Sequence, residues 1–225
     1  MSINIHSFIP IIMNTSEKFV ITINRELGSG GRTVGRLLAE KLGVAFYDKA
    51  VIKALQEKFH LNVEEIEKLK GEKQTWWTDF MRIMQIGPSM NANFYLPQKG
   101  KEADLLDTKE IFEAETLILQ DIASQESCVV AGRSGFYILR NHPNHLNILI
   151  QASMPFRLER VMRKQGITEK EARKIIEQVD KMRENYVTEF TGTSRYDTRN
   201  YDLVISADGK SEDEIVELIL KFING

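Results

Sequence analysis

The sequence has a single cysteine, Cys128, and only five prolines in 225 residues. One cysteine excludes an internal disulfide, and its place in the apolar run Cys128-Val129-Val130-Ala131 reads as a buried core thiol. A cytoplasmic location is the expectation that follows. No apolar run approaches the ~20 residues that a bilayer requires, so no membrane partner is expected. The leader Phe8-Ile9-Pro10-Ile11-Ile12-Met13 is short, broken by proline and without a basic n-region, which argues against a signal peptide. Met13 is a candidate start, with residues 1–12 as a frayed extension. Charge of one sign is also lacking: 30 basic against 32 acidic residues leave a net charge of −2, and no global pull toward nucleic acid. Any anion site has to be local. The four histidines, His6, His60, His142 and His145, show no metal-ligand spacing with Cys128, and His142 and His145 flank Pro143 in what reads as a surface loop. Repeats and low-complexity tracts are absent.

Against these absences stand five short β-type runs: 19–24, 44–47, 128–131, 146–151 and 201–205. Between them apolar residues fall at helical spacing. Val34, Leu37, Leu38 and Leu42 share one side of a first helix. Ile111, Ala114, Ile118 and Ile122 do the same over about 108–125, and Ile215, Ile219, Phe222 and Ile223 make the last stripe. Alternating strands and helices predict a mostly parallel sheet covered on both faces, with ligands beyond the carboxyl ends of the strands. Residues 60–107 break the pattern with a charged helical piece, Trp76-Trp77, a Met-rich run and Gly87-Pro88. They read equally as an insert that closes over a ligand and as a plain structural excursion, with both tryptophans as packing residues.

The most informative stretch runs from Phe19 to Leu42. It reads as a buried strand, a glycine-rich turn at Gly28, Gly30 and Gly31, and a helix opening on Arg32-Thr33. Glycines there let successive N–H groups point at phosphate oxygens, and the helix adds its positive dipole end. Set on the pattern G-x-x-x-x-G-K-[ST], residues 26–33 match at Gly31 and Thr33; Arg32 stands at the lysine and Glu26 at the first glycine. A dinucleotide fingerprint is the rival: Gly28 and Gly30 fit its first two positions, and Asp48 lies where a ribose-binding acid belongs. Thr33 at its third glycine and the excursion Arg25-Glu26-Leu27 between strand and turn favour the P-loop.

Phosphoryl transfer needs cations around the moving group. Arg157, Arg160 and Arg163 are spaced i, i+3, i+6, drifting about 60° per step, so all three are expected along one broad helix face. Arg183 is placed on the second helix of the same charged excursion, Pro155–Phe190, and Arg133 directly after the strand 128–131. Arginine suits this work because its planar fork meets two phosphate oxygens at once. Arg173, with Glu169 four residues before it, reads as a solvated helix pair. Asp48, after the second strand, holds a base or sugar, caps the helix starting near Lys49, or does both.

The blocks Ile21–Thr33, Leu42–Asp48, Val129–Arg133 and Tyr201–Ile205 make the chain resemble the cytidylate-kinase-like family, a divergent branch of the P-loop nucleoside monophosphate kinases. The resemblance covers roughly residues 19–224 and is weakest over 60–107. It implies an α/β, P-loop NTPase-type three-layer fold: a five-stranded parallel sheet, a monophosphate-binding insert at about 49–107 and a helical lid at about 154–192. Residues 1–18 would be an extension and 19–225 a single kinase-like domain. It further implies movement of the γ-phosphoryl of ATP to a nucleoside monophosphate, CMP or dCMP first among the small acceptors. Gly28, Ser29, Gly30, Gly31, Arg32 and Thr33 would hold the ATP phosphates, with Thr33 near Mg²⁺. Asp48 and Arg133 would face the monophosphate, and Arg157, Arg160, Arg163 and Arg183 would form the lid, acting with Arg32 in catalysis. The chain departs from the family in lacking the P-loop lysine, and in placing Ser134 where an acid follows the Gly-Arg pair. Glu26, beside a triphosphate, needs a cationic partner, for which Arg25 and Arg32 are the near candidates. A nucleotide-binding regulatory protein without phosphotransfer is therefore the alternative reading, and a dinucleotide-dependent oxidoreductase the third. The sequence assigns no oligomeric state.

Overall fold

A computed structural model describes residues 13–48, 108–132 and 134–224. In chain order its elements are β1 (Val20–Arg25), α1 (Gly31–Leu42), β2 (Ala45–Asp48), α2 (Thr108–Gln125), β3 (Cys128–Ala131), α3 (Gly135–Ile138), β4 (His145–Gln151), α4 (Met154–Gln165), α5 (Glu169–Thr191), β5 (Leu203–Ser206) and α6 (Glu212–Asn224). The chain divides into two compact units, residues 1–48 with 119–225, and residues 49–118. Within the second, only the start of α2 is described. Everything that follows belongs to the first unit.

All five strands are parallel, in the order β2-β3-β1-β4-β5. This is the α/β sheet that alternating strand and helix patterns predict. β1 is central, with β3 on one side and β4 on the other, so the chain leaves it at the point where strand order reverses. Ligands of open α/β sheets bind outside the strand ends at such a point. One sheet face is apolar. Ile21, Ile23, Val129, Ile148 and Ile150 pack there with Val34 and Leu38 of α1 and with Ile215, Val216, Ile219 and Ile223 of α6. Each such side chain, fully buried, contributes roughly 1.5–3 kcal/mol. Along β1 the opposite face is polar. Thr22 Oγ1 meets His145 Nε2 at 3.1 Å and also bonds Asn147, while Asn24 Nδ2 donates to Tyr201 Oη at 2.5 Å. Cys128 is buried, and burial pushes its thiol up to about 12.

β1 and β2 each run one residue later than the pattern reading, and β4 and β5 differ in ways that move particular side chains. His145 is the first residue of β4 and sits half-buried in the sheet, not in the loop around Pro143. β5 starts at Leu203, because Tyr201 closes a short 3₁₀ turn and Asp202 accepts from the Asn147 amide at 2.7 Å. Among the described residues no helix is long and apolar enough to cross a membrane.

Candidate active site around the glycine loop

Residues 26–30 carry the chain from β1 into α1. Gly28 and Gly30 have φ of 90° and 87°, a region open to glycine and costly for other residues. Ser29 closes the turn: its amide donates to Glu26 O at 3.3 Å and its hydroxyl to the same oxygen at 3.0 Å. The Thr33 and Val34 amides both reach back to Gly30 O. The Ser29 and Thr33 amides are thus engaged inside the loop, and Ser29, expected among the phosphate-binding groups, serves as its brace. No side chain caps α1. Among the described residues the amides of Gly28, Gly30 and Gly31 have no acceptor, and they lie at the positive end of a helix. That is the donor set an oxyanion takes.

The helical excursion that follows β4 packs on this loop. α4 starts after Ser153 with Pro155 in its first turn, where a missing N–H costs nothing. It ends at Gly166 in the left-handed conformation. α5 opens on a reciprocal cap: Glu171 N donates to Thr168 Oγ1 and Thr168 N to Glu171 Oε2. The approach is close enough that a Cβ on Gly28 would stand 2.8 Å from the Arg157 carbonyl oxygen.

The arginines separate into distinct roles. Arg157 is buried; its Nε donates to Leu27 O at 2.8 Å, Nη1 lies 3.2 Å from Glu26 Oε1, and Nη2 pairs with Asp180. Glu26 Oε2 in turn accepts from the Ala152 amide at 2.9 Å. The structure thus sets Arg157, from the helix after β4, as a cation on Glu26. Asp180 Oδ1 accepts from the Leu27 amide at 3.1 Å and lies 3.5 Å from both Arg183 Nη1 and Arg195 Nη1. Arg183 donates to Arg25 O at 3.3 Å, and Arg195 Nη2 bonds the same carbonyl and, at 3.2 Å, Asn24 Oδ1. Three guanidinium groups, from Arg157, Arg183 and Arg195, thus converge on two carboxylates, Glu26 and Asp180.

Arg160 is also buried. Its Nη2 lies 3.5 Å from Thr33 Oγ1 and pairs with Glu212 at the start of α6; its guanidinium carbon is 3.4 Å from where a Cβ on Gly30 would sit. Burial pushes the Glu212 carboxyl upward, but hydrogen bonding and charge from Arg160 outweigh it and hold it below the usual range. One turn on, the Lys164 ammonium is pushed down by burial and by Arg160, with Arg163 and Arg32 adding to the effect.

Arg163 does not join its neighbours. Its side chain is 68 % exposed, 4.0 Å from Glu159 on the same helix. Arg32 is partly exposed, and its Nε lies 2.5 Å from Oδ2 of the buried Asp48. Arg173 pairs with Glu169 at 3.1 Å, as their spacing predicts. Arg133, Trp76, Trp77, Lys49 and the segment 60–107 lie outside the described residues.

Sequence reasoning missed Asp180, Glu212 and Arg195. The spacing Asp180-x-x-Arg183 was the one available signal. Arg195 is 1 % exposed, with Nη1 left without a hydrogen-bond partner among the described residues, and it sits where no helical or strand period marks it.

Among the described residues no group of three or more His, Cys, Asp or Glu side chains has metal-binding geometry. The described donors do fit a polyphosphate: three unpartnered amides, a hydroxyl at Thr33 and a guanidinium beside it.

Known proteins place the chain. It is 24% identical over 209 residues to a cytidylate kinase of Methanopyrus kandleri, covering 89% of this chain and 90% of the relative. A cytidylate kinase of a Thermotoga species is 29% identical over 154 residues, 64% of this chain and 69% of that one. The crystal structure of an uncharacterized protein from Eubacterium ventriosum superposes with a TM-score of 0.67 at 22% identity, over 92% of this chain and 99% of its own. The model of the cytidylate kinase-like family matches residues 20–208, and the chain belongs to that family.

Proposed function

We propose that the protein transfers the γ-phosphoryl group of Mg·ATP to a nucleoside monophosphate, CMP or dCMP first. The observation that carries this reading is the pair of unpartnered glycine amides, at Gly30 and Gly31, beside the Arg160 guanidinium at the switch point of the sheet. Preorganised donors aimed where charge develops are the main resource of a phosphoryl-transfer site.

In this reading the Gly28, Gly30 and Gly31 amides hold phosphate oxygens, and the Thr33 hydroxyl holds Mg²⁺. When bound, the metal draws charge off the phosphate oxygens and ATP supplies the group that moves. Arg157 and Asp180 fix the peptide at Leu27, so the amides keep their direction without a ligand. Arg183 stands at the carboxyl end of β1, and in this reading it serves the acceptor, as do Asp48 and, by its place in the sequence, Arg133. Arg163, exposed to solvent, takes no part.

One observation favours a second reading, a nucleotide-binding regulator without turnover: the residue at the lysine position, Arg32, is tied to Asp48. A coupled ADP-release assay with Mg·ATP across CMP, dCMP, UMP, AMP and GMP separates the two. Turnover with CMP or dCMP above the other acceptors is the expected result. ATP binding with no turnover on any monophosphate removes the kinase.

A further inference from the structure

The loop lysine of a P-loop reaches the phosphate chain from the start of the helix, and this chain has none. By position Arg32 is the substitute. Its Nε instead meets the carboxylate of Asp48 at 2.5 Å, and that carboxylate is buried, with 2 % of its side chain exposed. Drawing a guanidinium off a buried carboxylate is costly. Arg160 has the opposite disposition. It comes from α4, lies over Gly30, and stands 3.5 Å from the Thr33 hydroxyl, so it already occupies the open side of the loop. Glu212 grips it from α6. Glu212 lies in the first turn of α6, where an acid is favoured by the helix dipole, and so it is itself fixed.

We propose that Arg160, aimed by Glu212, is the cation that meets the phosphate chain in this loop, in place of the absent lysine, and that Arg32 is a structural partner of Asp48. The inference rests on reading the loop as a phosphate site, and it deepens that reading by assigning the charge. The ligand class is a linear polyphosphate, because one guanidinium fork beside three amides addresses oxygens on adjacent phosphoryl groups. Lys164 lies one turn along α4 from Arg160. The Glu212 carboxylate offsets part of the Arg160 charge while the site is empty. It is a positioning residue, since it contacts Arg160 and not the loop.

The test is calorimetric binding of tripolyphosphate without metal, and of ATP, to the full chain and four variants. R160A is expected to weaken both by at least about tenfold, the loss of one charge-assisted contact, with R160K recovering part of it. R32A should cost less than R160A. E212Q should weaken binding about two- to fivefold on its own and add nothing in the R160A background, a coupling that a merely structural role would not produce. If R160A fails to fold by thermal melting, R160K and E212Q carry the comparison. A larger loss in R32A than in R160A, or an E212Q effect that persists with R160A, overturns the proposal. Wild-type protein that binds neither ligand overturns it too. Wild-type protein that binds tripolyphosphate through Arg160 but turns over no monophosphate refutes the kinase and leaves this assignment standing.

Discussion

The two halves of the glycine loop are built on different physics. The first, Glu26 to Gly28, is gripped on every side: the Leu27 peptide is held at its N–H by Asp180 and at its carbonyl by Arg157, and Glu26 is pinned to the Ala152 amide. The second, Gly30 to Thr33, has no capping side chain, and its Gly30 and Gly31 amides have no acceptor among the described residues. One half spends buried charge on fixing a conformation; the other keeps donors in reserve. Fixing the donors before a ligand arrives reduces the ordering cost of binding. An acid where a P-loop has its first glycine is therefore consistent with an anion site, because its carboxylate is neutralised within the gripped half.

Asp180→Ala attacks the gripped half most directly. It removes the acid that faces Arg157, Arg183 and Arg195, and leaves buried guanidinium groups short of negative charge. The expected loss is about 3–5 kcal/mol of unfolding free energy in urea, the range for breaking a buried pair from one side. Asp180→Asn should lose less, because an amide oxygen still accepts from Leu27. A loss below about 1 kcal/mol for the alanine variant would show that the network does not hold the loop.

Gly28→Ala tests the joint between the halves. The residue has φ of 90°, and a Cβ would stand 2.8 Å from the Arg157 carbonyl oxygen, a backbone atom that cannot swing aside. Gly43, which ends α1 at φ 67°, has nothing within 4 Å of the same added atom. Both alanine variants bear left-handed strain of order 1 kcal/mol, and Gly28→Ala should exceed Gly43→Ala by about 1–2 kcal/mol for the forced displacement of α4. Equal effects in the urea curves would mean that α4 does not seat on the loop this closely.

Much of this was legible in the sequence, and the reason is locality. The strand at 20–25, three glycines and a helix start are contiguous, so the turn and its place at a strand end follow from pattern alone. The apolar stripes Val34-Leu38 and Ile215-Ile219 gave the covered sheet face for the same reason. The charge network was not legible. Glu26 finds its cation on α4, Arg160 its acid on α6, and Asp180 its arginines partly beyond α5, pairings that exist only once the sheet has assembled. Arg32 aligns with a lysine, and its pairing with the buried carboxylate of Asp48, sixteen residues away, could not be read from that alignment.

The smallest effect belongs to Arg163, and it sharpens the comparison because the residue is a close neighbour of Arg160 on one helix. Three residues advance an α-helix by about 300°, so the series 157, 160, 163 drifts about 60° at each step. One step keeps Arg160 on the loop side with Arg157. The second carries the total drift to about 120°, which takes Arg163 past the edge of that face. There its side chain is 68 % exposed and its ion pair with Glu159 is long, at 4.0 Å. Exposed pairs of this kind contribute a few tenths of a kcal/mol at best. Arg163→Ala should therefore shift the urea midpoint by less than about 0.5 kcal/mol equivalent, and tripolyphosphate affinity by less than about twofold. Should it instead match R160A in weakening tripolyphosphate, charge near the loop would be acting at long range. Raising the ionic strength would then erase the effect of both variants alike, whereas a direct Arg160 contact retains most of its share in salt.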